Sequence, residues 1–73
     1  MTVLNCKGMF CPEPVFQTKI AIEKMKAGEV IEVITDDPNS IEDITKWVEK
    51  SGHKMIDVQP GDKQSLFIIG KVK

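Results

Sequence analysis

Residues 8–16 read GMFCPEPVF, and this stretch decides the fold because it joins a glycine turn to the start of a helix. Gly8 permits a sharp turn, and the two prolines stand where a helix can begin. The first four N–H groups of a helix have no partner within it, so a proline in the first turn removes no hydrogen bond. The sequence predicts that Cys11 is the N-cap, with Pro12 at N1 and Pro14 at N3.

The chain on both sides of this stretch alternates between strand and helix patterns. Strands show two-residue alternation or β-branched runs, and helices show an apolar face at helical spacing. Glycine is typical just after a helix, which predicts that Gly28 and Gly52 end the two helices. The predicted elements are strand 2–7, helix 12–26, strand 29–35, a helix reaching residue 51, strand 54–59 and strand 65–72.

The order β-α-β-α-β-β predicts an α/β (α+β) two-layer sandwich. Right-handed crossovers make the first three strands parallel and place both helices on one face of a mixed four-stranded sheet. The turn-rich loop at 60–64 makes the last strand antiparallel to the third. At 73 residues, the whole chain (1–73) is expected to be one small domain.

Several side chains are expected to fix these elements. Phe10 can pack on Val15 as a hydrophobic staple at the first helix. The second helix has two candidate N-caps, Asp37 or Ser40, the latter with Asp43 three residues later. The core faces of the helices are predicted to contain Val15, Thr18, Ala21, Ile22, Met25, Ile41, Ile44 and Val48, with Trp47 packed on the sheet.

Composition excludes several function classes. Ten Lys balance eleven Asp and Glu to a formal net charge of -1, with no Arg, which disfavours nucleic-acid binding. No apolar run approaches a membrane span, and the first residues carry no apolar signal segment. Two cysteines do not make a disulfide framework. We expect a cytoplasmic protein with reduced thiols, no metal and no cofactor.

The predicted position of Cys11 favours its thiolate. A helix N-terminus stabilises an anion, which could bring the pKa of the thiol from about 8.5 to about 7. Lys7 would support the thiolate, and Glu13 would oppose it. His53 begins the third strand, at the opposite end of the sheet from Cys11, so a Cys–His dyad is not expected. A positioned sulfur without a base or an orienting partner suits a carrier that passes sulfur on by thiol exchange.

The stretch LNCKGMFCPEPV resembles the opening motif of the TusA-like sulfur-carrier proteins, also grouped as SirA-like or YedF-like, with its Gly-x-x-Cys-Pro-x-Pro turn. The similarity continues through the DDP turn to the closing hairpin and covers essentially the whole chain. Asn5 and Lys7 stand where the family often has Asp and Arg. The resemblance implies the same sandwich fold, with Gly8, Pro12, Glu13 and Pro14 as the motif that positions the cysteine.

The resemblance also implies a function. Cys11 would act as a carrier-type sulfurtransferase that receives persulfide sulfur from a cysteine desulfurase or a rhodanese-type donor. It would deliver this sulfur to acceptor proteins in tRNA thiolation, cofactor synthesis or sulfur metabolism. In tRNA thiolation it would contact the modifying proteins without reading RNA itself.

Other residues near the thiol have two interpretations each. Cys6 shares a strand face with Leu4 and is expected in the core, although a Cys6–Cys11 disulfide with Cys6 as the resolving thiol is the redox alternative. Asp36 and Asp37 are expected to form a turn and a cap rather than bind a metal. An exposed patch for docking of partner proteins is expected from Met9, Phe10, Phe16, Lys19 and Ile20.

Three function classes therefore stay open beside the sulfur carrier. They are a thiol-disulfide redox module that uses Cys6 and Cys11, a noncatalytic interaction or regulatory domain, and, by fold analogy alone, a nucleic-acid binder.

Overall fold

The computed structural model describes residues 2–73, and its elements follow the predicted order. Two helices accompany one four-stranded mixed sheet, which confirms the predicted fold class. The elements are β1 (Thr2–Asn5), α1 (Glu13–Glu23), β2 (Val30–Thr35), α2 (Ser40–Ser51), β3 (Lys54–Gln59) and β4 (Ser65–Gly70).

The sheet has the strand order β1-β2-β4-β3. β1 pairs with β2 in parallel, and β4 is antiparallel to both of its neighbours, β2 and β3. The first three strands therefore run in the same direction, as the crossover rule predicts. Since β1 and β2 end at the same edge of the sheet, the segments that lead into α1 and α2 meet there.

One face of the sheet carries the core. Every second residue of β2 and β4 is buried, and the buried residues stand opposite one another across the two strands. This alternation is what a sheet covered on one face requires. The facing pairs are Ile31–Ile69, Val33–Phe67 and Thr35–Ser65.

The helices cover this face with residues at four-residue spacing. α1 buries Pro14, Thr18 and Ile22, and α2 buries Ser40, Ile44 and Val48. The Thr18 hydroxyl donates a 2.7 Å hydrogen bond to the Pro14 carbonyl, which satisfies the one polar side chain on the buried stripe of α1. Along the margins of the core lie the half-buried Val15, Ala21, Ile41 and Trp47, and Met25 is buried just beyond α1.

Two predicted helix ends are wrong here, the end of α1 and the start of α2. α1 ends at Glu23 with Lys24 as its C-cap in right-handed conformation, so Gly28 is not the cap. Instead, the Gly28 N–H donates to the Lys71 carbonyl at 2.7 Å, tying the chain before β2 to the end of β4. The N-cap of α2 is Asn39, without a side-chain capping bond, rather than Asp37 or Ser40.

Gly52 does end α2 as predicted. It has the left-handed φ of 83° at the C-cap, and its N–H donates to the Glu49 carbonyl. No helix within residues 2–73 combines the length and the apolar character that crossing a membrane would need.

Candidate functional site

The loop between β1 and α1 presents Cys11 at the edge of the sheet where β1 and β2 end. Its start is fixed by the Cys6 N–H, which donates to the Ile34 carbonyl at 2.7 Å and so extends the pairing of β1 with β2. The Met9 N–H then donates to the Cys6 carbonyl at 3.2 Å and closes a tight turn. Gly8 has a left-handed φ of 83° in this turn. Beyond it, the Cys11 side chain is exposed.

The start of α1 is shifted by one residue from the prediction. The N-cap is Pro12, with φ -96° and ψ 13°, and Glu13 and Pro14 occupy the first two helical positions. The N–H groups of Val15 and Phe16 both donate to the Pro12 carbonyl, so the first turn closes on the proline rather than on Cys11. The predicted N-cap role of Cys11 is therefore wrong, and the Cys11–Pro12 peptide bond is cis.

Two aspartates after β2 hold the Cys11 loop. The Asp36 carboxylate accepts the Gly8 N–H at 3.0 and 3.2 Å through its two oxygens. Asp37 Oδ2 accepts the Cys11 N–H at 2.7 Å. Because parallel β1 and β2 end at the same edge, residues far apart in the chain meet at these bonds. The backbone on both sides of the turn is thus anchored to the next strand.

Asp37 also organises the turn before α2. Its Oδ1 accepts the Asn39 N–H at 3.1 Å, and its Oδ2 accepts the Ser40 hydroxyl at 3.2 Å. The hydrogen bond from the Cys11 N–H, followed by that from Asn39, lowers the pKa of the Asp37 carboxyl. The turn-forming role predicted for this aspartate is confirmed. Within residues 2–73, no group of three or more His, Cys, Asp or Glu side chains is placed to hold a metal ion.

The Cys11 thiol itself faces α2. Its Sγ donates a hydrogen bond to Asp43 Oδ2 in the first turn of that helix. This bond, with the negative charges of Asp43 and Asp37 and partial desolvation, raises the pKa of Cys11 to about 11. A carboxylate that accepts the thiol proton stabilises the neutral form and repels the thiolate. The predicted lowering of this pKa is therefore wrong for the isolated protein.

The predicted support from Lys7 is not found either. The main causes of the raised pKa of Cys11 are the hydrogen bond to Asp43, desolvation, and the charges of Asp43 and Asp37. Lys7 is exposed, and its backbone N–H donates to Asn5 Oδ1 at 3.0 Å. The field of the helix N-terminus, which favours the thiolate, is outweighed because the full negative charge of Asp43 lies directly against the sulfur.

Cys6 lies in the core, as its strand face predicts. Its side chain is 0% exposed, and burial followed by the charge of Glu13 raises its pKa. Both cysteines are free thiols. The burial of Cys6 favours a packing role, because thiol exchange needs a thiolate that the reaction partner can reach.

His53 belongs to the other end of the molecule, as predicted. Its Nδ1 accepts the Val72 N–H at 3.2 Å, and its ring lies 5.9 Å from that of Trp47. Burial, together with the charges of Lys71 and Lys73, lowers its pKa. The ring is a neutral packing partner near the C-terminus of α2 rather than a base for Cys11.

Three large apolar side chains are exposed on the Cys11 loop and α1. Phe10 is 77% exposed, Phe16 57% and Ile20 47%, and we refer to these three residues as the apolar patch. Phe10 is too exposed to staple Val15, so that prediction is wrong. Met9 takes the inward position of the loop and packs against the core. Lys19 is exposed beside the patch on α1.

Asp43 is the residue that sequence reasoning missed at this site. The pattern Ser40-x-x-Asp43 predicted a capping pair within α2, yet α2 begins at Ser40 itself. A signal was available, since the first turn of α2 follows β2 at the same sheet edge as Cys11. Polar residues in that turn are the ones that topology brings to the thiol.

Comparison with known proteins gives a consistent picture. The family described as Sulfurtransferase TusA matches residues 2–71. A protein of Archaeoglobus fulgidus named "Putative sulfur carrier protein" is 32% identical over 73 residues, covering 100% of both chains. A Thermotoga maritima protein of the same name is 39% identical over 70 residues, covering 96% of this chain and 89% of its own. The crystal structure of a SirA-like protein from Desulfitobacterium hafniense superposes with a TM-score of 0.83 at 26% identity, covering 100% of both chains.

Proposed function

The chain belongs to the sulfurtransferase TusA family, and from this premise we propose that it carries sulfur as a persulfide on Cys11. It accepts the sulfur from a donor protein and relays it to an acceptor protein. The observation that supports this most strongly is an exposed thiol whose backbone is anchored at 2.7 Å to Asp37. A carrier needs a sulfur that two successive partners can reach in the same place.

The chemistry is two thiol exchanges with no net oxidation. The Cys11 sulfur attacks the outer sulfur of a persulfide on the donor, and a new S–S bond forms at Cys11 as the donor's S–S bond breaks. The donor cysteine leaves as a thiolate and takes up the proton that Cys11 gives up. Delivery repeats this exchange with an acceptor thiol, which returns Cys11 to its starting state.

The site supports a carrier rather than an autonomous catalyst. His53 lies at the other end of the molecule and bonds the Val72 N–H, so Cys11 has no imidazole base. Proton transfer and orientation must come from the partner proteins. We therefore assign the donor to the class of cysteine desulfurases or rhodanese-type proteins, and the acceptor to a sulfurtransferase of tRNA thiolation, cofactor synthesis or sulfur metabolism in the cytoplasm.

The apolar patch is the proposed contact surface for these partners. Phe10 is 77% exposed next to the thiol, and Phe16 and Ile20 continue the apolar surface along α1. Exposed aromatic side chains are enriched where protein surfaces associate. Lys19 adds a positive charge at the margin of this surface. Contact with nucleic acid is not required for any step.

The test is sulfur loading from a desulfurase with free cysteine, read by intact mass. The expected gain is about 32 Da, one sulfur atom, on the unmodified sequence and on Cys6→Ser. The Cys11→Ala variant should show no gain. If Cys11→Ala gains the sulfur, or if Cys6→Ser loses the ability to hold it, the assignment to Cys11 alone is wrong.

A further inference from the structure

The contact between Cys11 and Asp43 is not explained by the carrier function alone. The Cys11 Sγ–H donates to Asp43 Oδ2, and Asp43 is half-buried in the first turn of α2. A carrier whose thiol must attack a persulfide would be better served by a cation at this position. The structure instead places a carboxylate there, which raises the pKa of the thiol to about 11.

Asp43 forms no ion pair within residues 2–73, although Lys46 and Lys50 line the same cavity. The turn before α2 contributes Asp37, which binds the Cys11 N–H, and Asp36, which binds the Gly8 N–H. On α2, the ammonium group of Lys46 pairs with Glu42 at 2.8 Å. Within residues 2–73 this is the one ion pair, so the contact given for the Asp43 carboxylate is the thiol of Cys11 and not an ammonium group.

The remaining charges near the loop do not compensate. The loop itself offers Lys7, which is not among the main causes of the shifted pKa of Cys11, α1 begins with Glu13, and Lys50 of α2 lines the cavity beside Asp43. The pKa of Lys46 is raised mainly by the hydrogen bond to Glu42 and by the charge of Glu42. The charge of Asp43 makes only a minor contribution to this shift. The charges that act most strongly on the thiol, those of Asp43 and Asp37, are therefore both negative.

We propose that Asp43 is a positioning residue that keeps Cys11 protonated in the free carrier, and that a cationic side chain of the sulfur donor releases the thiolate by pairing with Asp43. This inference rests on the proposed function. It names the chemistry of the partner surface, which is basic where it meets the first turn of α2. It also gives the free carrier a thiol that is protected from unspecific alkylation and oxidation.

The release has a physical basis. An opposite charge within a few ångströms of Asp43 stabilises its ionised form and cancels its repulsion of the Cys11 thiolate. The proton that leaves Cys11 ends on the departing donor thiolate, so the carboxylate remains ionised throughout. The overall exchange is Cys11 thiol plus donor persulfide giving Cys11 persulfide plus donor thiol, which balances in atoms and electrons.

The first measurement is the alkylation rate of Cys11 by iodoacetamide between pH 6.5 and 9.5, with no donor present. Trypsin separates the two cysteines, because Lys7 lies between Cys6 and Cys11. In Asp43→Asn the pKa should move from about 11 toward the ordinary 9.0, giving up to about 100-fold faster alkylation of Cys11 at neutral pH. The control Glu49→Gln removes the same charge from an exposed position of α2 and should leave the rate unchanged.

The second measurement is sulfur uptake from a desulfurase at low and high salt. Uptake by the unmodified sequence should fall as salt screens the pairing with Asp43. In Asp43→Asn, uptake should not rise by the factor seen for alkylation, and it should depend less on salt.

The outcomes separate the two proposals. An unchanged alkylation rate in Asp43→Asn would overturn the role of Asp43, while sulfur loading of Cys11 could still succeed. An equal increase of alkylation and donor-dependent uptake would overturn the requirement for a donor cation. Failure of Cys11 to load in any variant would refute the carrier function, whatever the alkylation rates show.

Discussion

Asp37 accepts the backbone N–H of Cys11 at 2.7 Å across a separation of 26 residues in the chain. This bond joins the loop that bears the thiol to the turn that starts α2. It follows directly from the parallel pairing of β1 with β2, which ends both strands at one edge. The position of the sulfur is thus determined by a neighbouring strand as much as by its own helix.

Replacing Asp37 should loosen this arrangement. Asp37→Asn keeps the size of the side chain but weakens the charge-assisted bonds to the N–H groups of Cys11 and Asn39. We expect a Tm lower by several degrees and faster hydrogen exchange at the Cys11 amide. Asp62→Asn, in the exposed loop before β4, is the matched control and should change neither. Unchanged exchange at Cys11 would show that the bond does not hold the loop.

The same aspartate predicts a dependence of stability on pH. Its pKa is lowered in the folded state, chiefly by the Cys11 N–H, so its contribution is fully present above the ordinary value of 3.8. That contribution is lost as pH falls through the lowered folded value. Unfolding at pH 7 and at pH 3 should therefore show a stability difference between the unmodified sequence and Asp37→Asn that shrinks in acid. A difference that grows in acid would contradict the direction of the shift.

Gly8 and Gly28 offer a matched pair of variants with which the role of the Cys11 loop can be tested. Their φ values are 83° and 93°, and a Cβ at either position would meet no heavy atom within 4 Å. Alanine at each should therefore cost a similar amount, about 1–2 kcal/mol of backbone strain. Only Gly8→Ala should also slow sulfur loading, because it alters the turn before Cys11. Equal loading rates in the two variants would argue against a need for this turn.

The docking role of the apolar patch can be tested by comparing two apolar side chains that are almost equally exposed. Phe16 is 57% exposed on α1, and Val72 is 56% exposed after β4, next to His53 at the far end. Phe16→Ser should weaken binding to the sulfur donor and leave the Tm within a few degrees of the original, since the ring contributes little to the core. Val72→Ser should affect neither property. Titration calorimetry with a desulfurase measures the difference, and equal affinities would refute the docking role of the patch.

The core offers a prediction that is independent of function. Ile69 is fully buried on β4, whereas Ile56 is 49% exposed on β3. Ile69→Val should lower the free energy of unfolding by about 0.5–1.5 kcal/mol, the usual cost of one buried methyl group. Ile56→Val should stay within about 0.5 kcal/mol of the original. Urea denaturation measures the free energy of unfolding of both variants. Equal losses of this free energy would contradict the assignment of Ile69, and not Ile56, to the core.

The fold was predictable because its signals are local and consistent. Alternation at residues 2–7, the β-branched run at 29–35, helical spacing of Thr18 and Ile22, and Gly52 after α2 each indicate one element, and the crossover rule then orders them. Helix ends were less predictable. A proline can serve as N-cap or as first helical residue, and only the hydrogen bonds to the Pro12 carbonyl decide between the two.

The exposure of Cys11 was predictable from the sequence, and the electrostatics around it were not. The Cys-Pro-x-Pro pattern indicates Cys11 because no packing argument needs a thiol at that exposed position. Its pKa depends on Asp43, 32 residues away, through a side-chain contact that no local pattern encodes. A helix N-terminus gives about half a charge, and one carboxylate against the sulfur reverses its effect.

The most direct test of the carrier role of Cys11 is to locate the transferred sulfur by tandem mass spectrometry. The protein is loaded by a desulfurase with cysteine, alkylated to trap persulfides, and cut with trypsin after Lys7 and Lys19. The carrier function of Cys11 predicts about 32 Da of added mass on this residue in the peptide of residues 8–19. Added sulfur on Cys6 instead, or peptides of residues 8–19 that never carry it, would contradict the claim that Cys11 is the carrier.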